Sequence, residues 1–322
     1  MRRKLKILIP IILGLFFIYL TFKLTSPQER TLIWTYVKSA KIEFVIAAMF
    51  FGASADIVRG FRWQLLSNSL GYKSNSVISI ASVFMCYTSN MAIARSGELV
   101  RASVLSNYNN IPLGKTLGTI AAERIVDVII SFIILISVWF LQYELILESL
   151  FNDEFLLFVD NNIGFIILII ITVLLILILL VTRVKSARKF LKTMLEGLLS
   201  ITKLKSRIAV FVLFSITIWT CYILAFSVIK FSVPELSSID SYLIFPAFVV
   251  GVYSISLSNH GLGVYPLAIS LFLVNFGINT EVGLTYGWMA WSCQAIITLI
   301  FGALSFFVLP LLYASDQNGQ NN

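Results

Sequence analysis

The chain has 322 residues, 58% of them apolar and only 12% charged, against about 45–50% apolar and about 25% charged in an ordinary soluble domain. A soluble globule of this composition would expose aggregating apolar surface. A soluble enzyme, a disordered chain and a nucleic-acid module are therefore excluded, and the net charge of +8 is informative through its placement.

The chain opens with Arg2, Arg3, Lys4 and Lys6 ahead of an apolar run. No small-x-small cleavage pattern follows, so 6–24 is expected to be an uncleaved first spanning helix. A span needs about 20 apolar residues. The runs 163–182, 208–230 and 284–312 also meet this, and 42–66 and 116–142 meet it with charges inside or near their ends. Two other stretches, 77–106 and 241–278, are apolar, then broken by a polar patch containing glycine, then apolar again. The breaks fall around Asn90 and Gly97 and around Asn259, Gly261 and Gly263. Irregular backbone at membrane depth is tolerated only where protein or water satisfies it. Both stretches are expected to form re-entrant helical hairpins.

Charge placement sets an orientation. The loop 142–162 holds Glu144, Glu148, Asp153, Glu154 and Asp160 with no Lys or Arg, whereas 183–207 is rich in both. The positive-inside rule puts 183–207 and the N-terminus in the cytoplasm and 142–162 outside. The loop 60–76, counting Arg62 and Lys73, is also expected inside, and 25–41 outside despite Arg30, Lys38 and Lys41. From 60–76 to 142–162 the chain crosses an odd number of times, which a hairpin at 77–106 allows. The second hairpin then enters from the opposite side. The expected fold is an all-α polytopic membrane protein of about six spanning helices and two re-entrant hairpins in an inverted repeat, with both termini cytoplasmic. It is one transmembrane domain: an N-terminal half 1–142, a basic segment 183–207, a C-terminal half 208–312 and a polar tail 313–322. Within the basic segment, Phe190, Met194, Leu198 and Ile201 recur at helical spacing among cations. This suits a helix lying on an anionic membrane surface, with a plain basic loop as the alternative.

Cys86, Cys221 and Cys293 lie in apolar runs without paired spacing and read as small buried side chains. With His260 as the one histidine, neither a metal site nor a cofactor site is expected. No nucleophile elbow, P-loop or dinucleotide-binding glycine pattern occurs. The charges inside the apolar stretches are more telling: Asp56, Glu98, Glu123 and Asp127 against Arg59, Arg62, Arg95, Arg101 and Arg124. Each costs about 2.5–3.5 kcal/mol at a helix centre when unpaired. Asp56, Arg59 and Trp63 share one helical face, as do Glu123 and Asp127, and Arg95, Glu98 and Arg101 straddle the first break. The groups are expected to meet around a cavity. Arginines match phosphate oxygens through forked hydrogen bonds, so the five arginines are candidates for a lipid phosphate. The four carboxylates are candidates for counter-charge or proton coupling. A purely structural ion-pair network is the competing explanation.

These residues carry a resemblance. The segments Arg59-Gly60-Phe61-Arg62-Trp63, Arg95-Ser96-Gly97-Glu98-Leu99-Val100-Arg101, Glu123-Arg124-Ile125-Val126-Asp127 and His260-Gly261-Leu262-Gly263 resemble the transmembrane region of lysylphosphatidylglycerol synthases, a flippase-like family. That family includes stand-alone bacterial inner-membrane proteins and relatives linked to archaeal glycan assembly. The family's Pro-x-x-Gly-Gly-x-Gly with a following Glu is altered here at 258–266, which removes an acid from the second break. The aminoacyl-transferase domain of two-domain synthases is not found, so lysyl-lipid synthesis is not expected. The resemblance implies translocation of a polar-headgroup lipid, phospholipid or polyprenyl-phosphate-linked, across the bacterial cell membrane. The alternative is a non-transporting scaffold that docks a lipid-modifying synthase or glycosyltransferase. An intramembrane enzyme is the least favoured reading.

Overall fold

The computed structural model describes residues 19, 22–23, 25–93, 95–141, 199–255 and 259–319. The expected spans 6–24 (apart from Tyr19, Phe22 and Lys23) and 163–182, the acidic loop 142–162 and the part of the basic segment before 199 lie outside those residues. All regular structure among the described residues is helical.

The first helix, α1 (Pro27–Lys38), falls in what the charge reading treated as a loop. Its start is a capping box: Ser26 accepts from the Glu29 backbone N–H, Glu29 reaches back to the Ser26 N–H, and Pro27 occupies the first turn. Lys38 in the last turn completes a well-terminated short helix. Next, α2 (Ile42–Ser69) runs 28 residues, about 42 Å at 1.5 Å per residue. This corrects the expected loop 60–76: Arg62 is a buried helical residue, which leaves Lys73 as the basic residue of the turn that follows.

Two shorter helices come next, α3 (Ser76–Ala92) and α4 (Gly97–Asn109), and they pack against each other. The first break therefore lies at 93–96. Asn90 projects from α3 and its Oδ1 accepts the Gly97 backbone N–H at 2.8 Å, capping α4. A Cβ at residue 97 would run into the Cys86 carbonyl oxygen, so only glycine fits this approach. After α5 (Leu113–Leu141) and the undescribed stretch, a 3-10 segment (Thr202–Arg207) leads into α6 (Ile208–Val228). A single turn, Pro234–Ser237, precedes α7 (Ser241–Ser254), and α8 (Val264–Val274) packs on α7. The last helix, α9 (Thr280–Gly319), extends into the expected polar tail as far as Gly319. Among the described residues, three helical stretches, Ile42–Ser69, Thr202–Phe231 and Thr280–Leu311, are long and apolar enough to cross a membrane. The described order is thus long helix, two short helices, long helix, and then the same again.

The short helices are gripped by the long ones at small residues. An added Cβ at Gly60 of α2 would lie 2.8 Å from the Ile80 Cα of α3, and one at Gly287 of α9 would lie 2.5 Å from the Pro266 Cα of α8. Such close backbone approach substitutes for the hydrophobic driving force that lipid removes. The main core gathers Trp219, Phe226, Phe248 and Tyr286 from α6, α7 and α9. A second core places Trp63 with Ala102, Leu105 and Ile120, its indole N–H donating to Thr119 at 2.9 Å.

Gly60→Ala is expected to destabilise the protein by about 1–3 kcal/mol, the usual cost of overpacking. The check is the thermal midpoint in detergent. An unchanged midpoint would mean that α2 and α3 do not touch there.

Candidate functional site

The charged groups converge at the crossing of α2, α4 and α5. Arg59 pairs with Asp127 Oδ2. Arg62 reaches Asp127 Oδ1 at 2.8 Å and Glu123 Oε1 at 3.3 Å. It also donates to Ser215 Oγ at 3.1 Å, and its guanidinium lies over the Phe211 ring at 5.6 Å. From α4, Arg101 pairs with Glu123 Oε2 at 2.8 Å. Arg62, Arg101 and Glu123 are at most 1% exposed. The helical spacing explains the convergence. Glu123 and Asp127 stand one turn apart on α5 and meet the arginines that α2 and α4 present.

A looser pair stands beside this core. Arg124 Nη2 contacts Glu98 Oε1 at 3.2 Å, with side chains 37% and 34% exposed. Asp56 takes a different role from the other carboxylates. It accepts from Tyr222 O–H at 2.7 Å and from Gln294 Nε2 at 3.1 Å and makes no ion pair among the described residues. Arg95 departs from the expectation that all nine charges meet. It is exposed and occupies the turn between α3 and α4 with φ 59°, so its side chain leaves the cluster.

A cavity of about 540 Å3 adjoins the network, within the range of small-ligand sites. Arg59, Glu98, Arg124 and Asp127 supply its charges, while Arg62, Arg101 and Glu123 stay behind the wall. The rest is largely aromatic, including Tyr87, Trp219, Tyr222, Tyr265 and Trp291. Val128 on α5 and Tyr253 and Ile255 at the end of α7 also line it and are 52%, 40% and 38% exposed. Among the described residues, the cavity therefore has its mouth between α5 and α7. Two buried donors at the cavity have no hydrogen-bond partner among the described residues: Arg59 Nε and Trp219 Nε1. Buried donors are nearly always satisfied, so both have capacity for an acceptor in the cavity.

Both breaks reach the same place. The Tyr87 and His260 rings lie 6.0 Å apart, and Trp291 donates to the His260 carbonyl at 2.9 Å. His260, with φ 52°, mirrors Arg95 as a non-glycine residue in the left-handed region, a strain that surrounding contacts must hold. Gly261 and Gly263 take positive φ beside it.

Sequence reasoning missed the uncharged partners. Ser215, Trp219 and Tyr222 stand at i, i+4 and i+7 on α6. Gly287, Trp291, Gln294 and Thr298 likewise form a small and polar stripe on α9. Both stripes are visible in otherwise apolar runs once helical faces are drawn.

A model of the lysylphosphatidylglycerol synthase TM region matches residues 7–302. The glycosyltransferase AglD of Haloferax volcanii is 32% identical over 73 residues, which is 22% of this chain and 12% of that protein. No solved structure matches. The matched range takes in all the network residues, and the chain belongs to the family of the lysylphosphatidylglycerol synthase transmembrane region.

Proposed function

We propose that the chain is a flippase-type translocase that moves a lipid with an anionic, polar headgroup between leaflets through the cavity between α5 and α7. The observation that carries this reading is the pair of unpartnered donors, Arg59 Nε and Trp219 Nε1, beside Arg124 in an aromatic cavity. A phosphate supplies the acceptors these donors lack. Aromatic walls suit the remainder of a headgroup, and a mouth lined by Val128 and Ile255 suits acyl or prenyl chains that stay in lipid. The reading assigns no bond-making step to the chain.

The transport geometry belongs to the same proposal. At 1.5 Å per residue, α3 and α4 reach about 26 and about 20 Å, and α7 and α8 about 21 and about 17 Å, each short of the roughly 30 Å hydrocarbon core. This supports two re-entrant hairpins of opposite orientation within about six spans. Transporter sites lie where such broken helices meet, and Tyr87 and His260 meet here. Placement in a bacterial cell membrane with both termini cytoplasmic completes the proposal. Its alternating access turns on Arg59 and Arg124 at the phosphate, with Glu98 and Asp127 as counter-charges. The short match to a glycosyltransferase favours one second reading. In it the chain is a membrane scaffold that docks a lipid-modifying synthase or glycosyltransferase through 183–207.

In vesicles carrying a headgroup-labelled phospholipid, Arg124→Gln is expected to slow headgroup movement about tenfold, the worth of one charge-assisted contact. Trp219→Phe, which keeps the ring and removes the N–H, is expected to slow it about fivefold. Folded variants that move lipid at the wild-type rate would sink the site assignment. Transport that survives while neutralising 183–207 abolishes function in cells would favour the scaffold.

The walled-off pair is expected to act on stability instead. Arg101→Met removes the partner of Glu123 Oε2 and leaves Arg62 alone against that carboxylate, which should cost about 3 kcal/mol. The double variant Arg101→Met/Glu123→Gln should recover part of that loss in equilibrium unfolding. Additive losses would show that the two side chains do not interact.

A further inference from the structure

We propose that Asp56 takes up a proton together with the anionic headgroup, so that lipid binding and protonation are one event and transport is proton-coupled. This rests on the lipid reading above and adds its energy source.

The first ground is the distinct surroundings of Asp56. It is 0% exposed, and among the described residues its oxygens meet only the Tyr222 hydroxyl and the Gln294 amide. Glu98, Glu123 and Asp127 each contact an arginine. Protonating Glu123 or Asp127 would strand a guanidinium in a low-dielectric interior, at a cost of several kcal/mol. Protonating Asp56 strands nothing. Its partners suit both forms: a hydroxyl and an amide N–H donate to the carboxylate, and the amide carbonyl can accept from the acid when the amide turns.

The second ground is charge balance. Arg59, Arg62, Arg101 and Arg124 face Asp56, Glu98, Glu123 and Asp127, four cations against four anions. The empty site is neutral when all are ionised. A phosphodiester brings one negative charge, and an uncompensated charge at membrane depth is expensive. One proton on Asp56 restores neutrality without breaking an ion pair. Tyr222 and Gln294 both line the cavity, as does Arg59 one turn along α2, so the proton site and the headgroup site share walls.

Other titratable groups face Asp56. They are Arg59 on its own helix, with Asp127 of α5 beyond it, Tyr222 on α6 and Tyr87 on α3. His260 lies across the cavity. Lys230, on the turn that follows α6, is bonded to Ser241.

The test uses the purified full chain in detergent with a short-chain phosphatidylglycerol, whose phosphodiester does not titrate near neutrality. Wild-type protein in weakly buffered solution with an indicator dye is expected to take up about one proton per lipid bound. Its affinity should rise as pH falls, by about tenfold per pH unit where Asp56 is ionised in the free protein. Asp56→Asn, a neutral mimic, is expected to bind without proton uptake and without pH dependence. His260→Gln is expected to keep the wild-type dependence. Wild-type binding without proton uptake overturns the coupling and leaves the lipid reading standing. So does uptake that persists in Asp56→Asn, or that vanishes in His260→Gln. Wild-type protein that binds no phosphatidylglycerol at any pH overturns both. The wild-type uptake measurement needs no variant to fold.

Discussion

The organisation of the described chain depends on the carboxylates of α5 meeting the arginines of α2 and α4. A lone ion at membrane depth is so costly that such residues persist only in pairs or facing water. That constraint is geometric as well as energetic. Asp127 holds Arg59 and Arg62, while Glu123 holds Arg62 and Arg101. Three helices are therefore pinned at one crossing, and Ser215 brings α6 to the same point. The pinning fixes the height of the cavity wall and decides which charges face inward. Arg59 and Asp127, paired with each other, line the cavity, and Arg62 holds Asp127 from outside the lining.

The same network separates two kinds of residue that look alike on a helical wheel. Arg62, Arg101 and Glu123 are enclosed and bonded to one another, so their charges are spent inside the protein. Arg124 and Glu98 are more than a third exposed and lightly held. Held by one 3.2 Å contact and partly exposed, this pair can exchange partners with a ligand more readily than the enclosed one. Asp56 belongs to neither kind, since its partners are neutral. The competing explanation, a structural ion-pair network, thus accounts for the enclosed residues. It does not account for the placement of Arg59, Arg124, Glu98 and Asp127 around an aromatic cavity, although the enclosed Arg62 and Arg101 also keep unpartnered N–H groups.

Much of this was legible in the sequence because helical spacing and charge cost are local properties. The i, i+4 pair Glu123 and Asp127 and the break at Asn90 and Gly97 were readable for that reason. Arg62 was readable as a member of the charge cluster but not as a helical residue clear of the following loop, and Arg95 was not readable as an outlier. A residue near the end of an apolar run is compatible with water or with protein, and only the packing of other helices decides which. Arg62 was counted as a loop charge, yet α2 continues past it to Ser69. Arg95 sits in the turn between two short helices, where a positive φ turns it outward. The capped helix α1 was readable from Ser26, Pro27 and Glu29, but a hydropathy scan passes over polar helices. Tyr222 and Gln294 are uncharged, so a search keyed to ionisable residues could not select them.

The distribution of strong and weak contacts bears on motion. Every ion pair among the described residues joins positions between 59 and 127. The side-chain hydrogen bonds from that half to the rest are of another kind: Arg62 to Ser215, Asp56 to Tyr222 and Gln294, Ser69 to the Ser200 carbonyl and Thr88 to the Thr298 carbonyl. Breaking a buried ion pair costs about 3–5 kcal/mol, whereas a hydrogen bond is worth about 1 kcal/mol net, or about 1.5–3 kcal/mol with a charged partner. Relative movement of the two halves would exchange those hydrogen bonds and keep the ion pairs, while α2 slides on α6 and α3 on α9. Asp56 stands on that seam, bonded to both α6 and α9, so a change in its charge acts on contacts that such movement would remake. The hairpin breaks meet on the same seam through Tyr87 and His260. All the ion pairs lie on one side of that seam, so a cavity on it can change shape without breaking them.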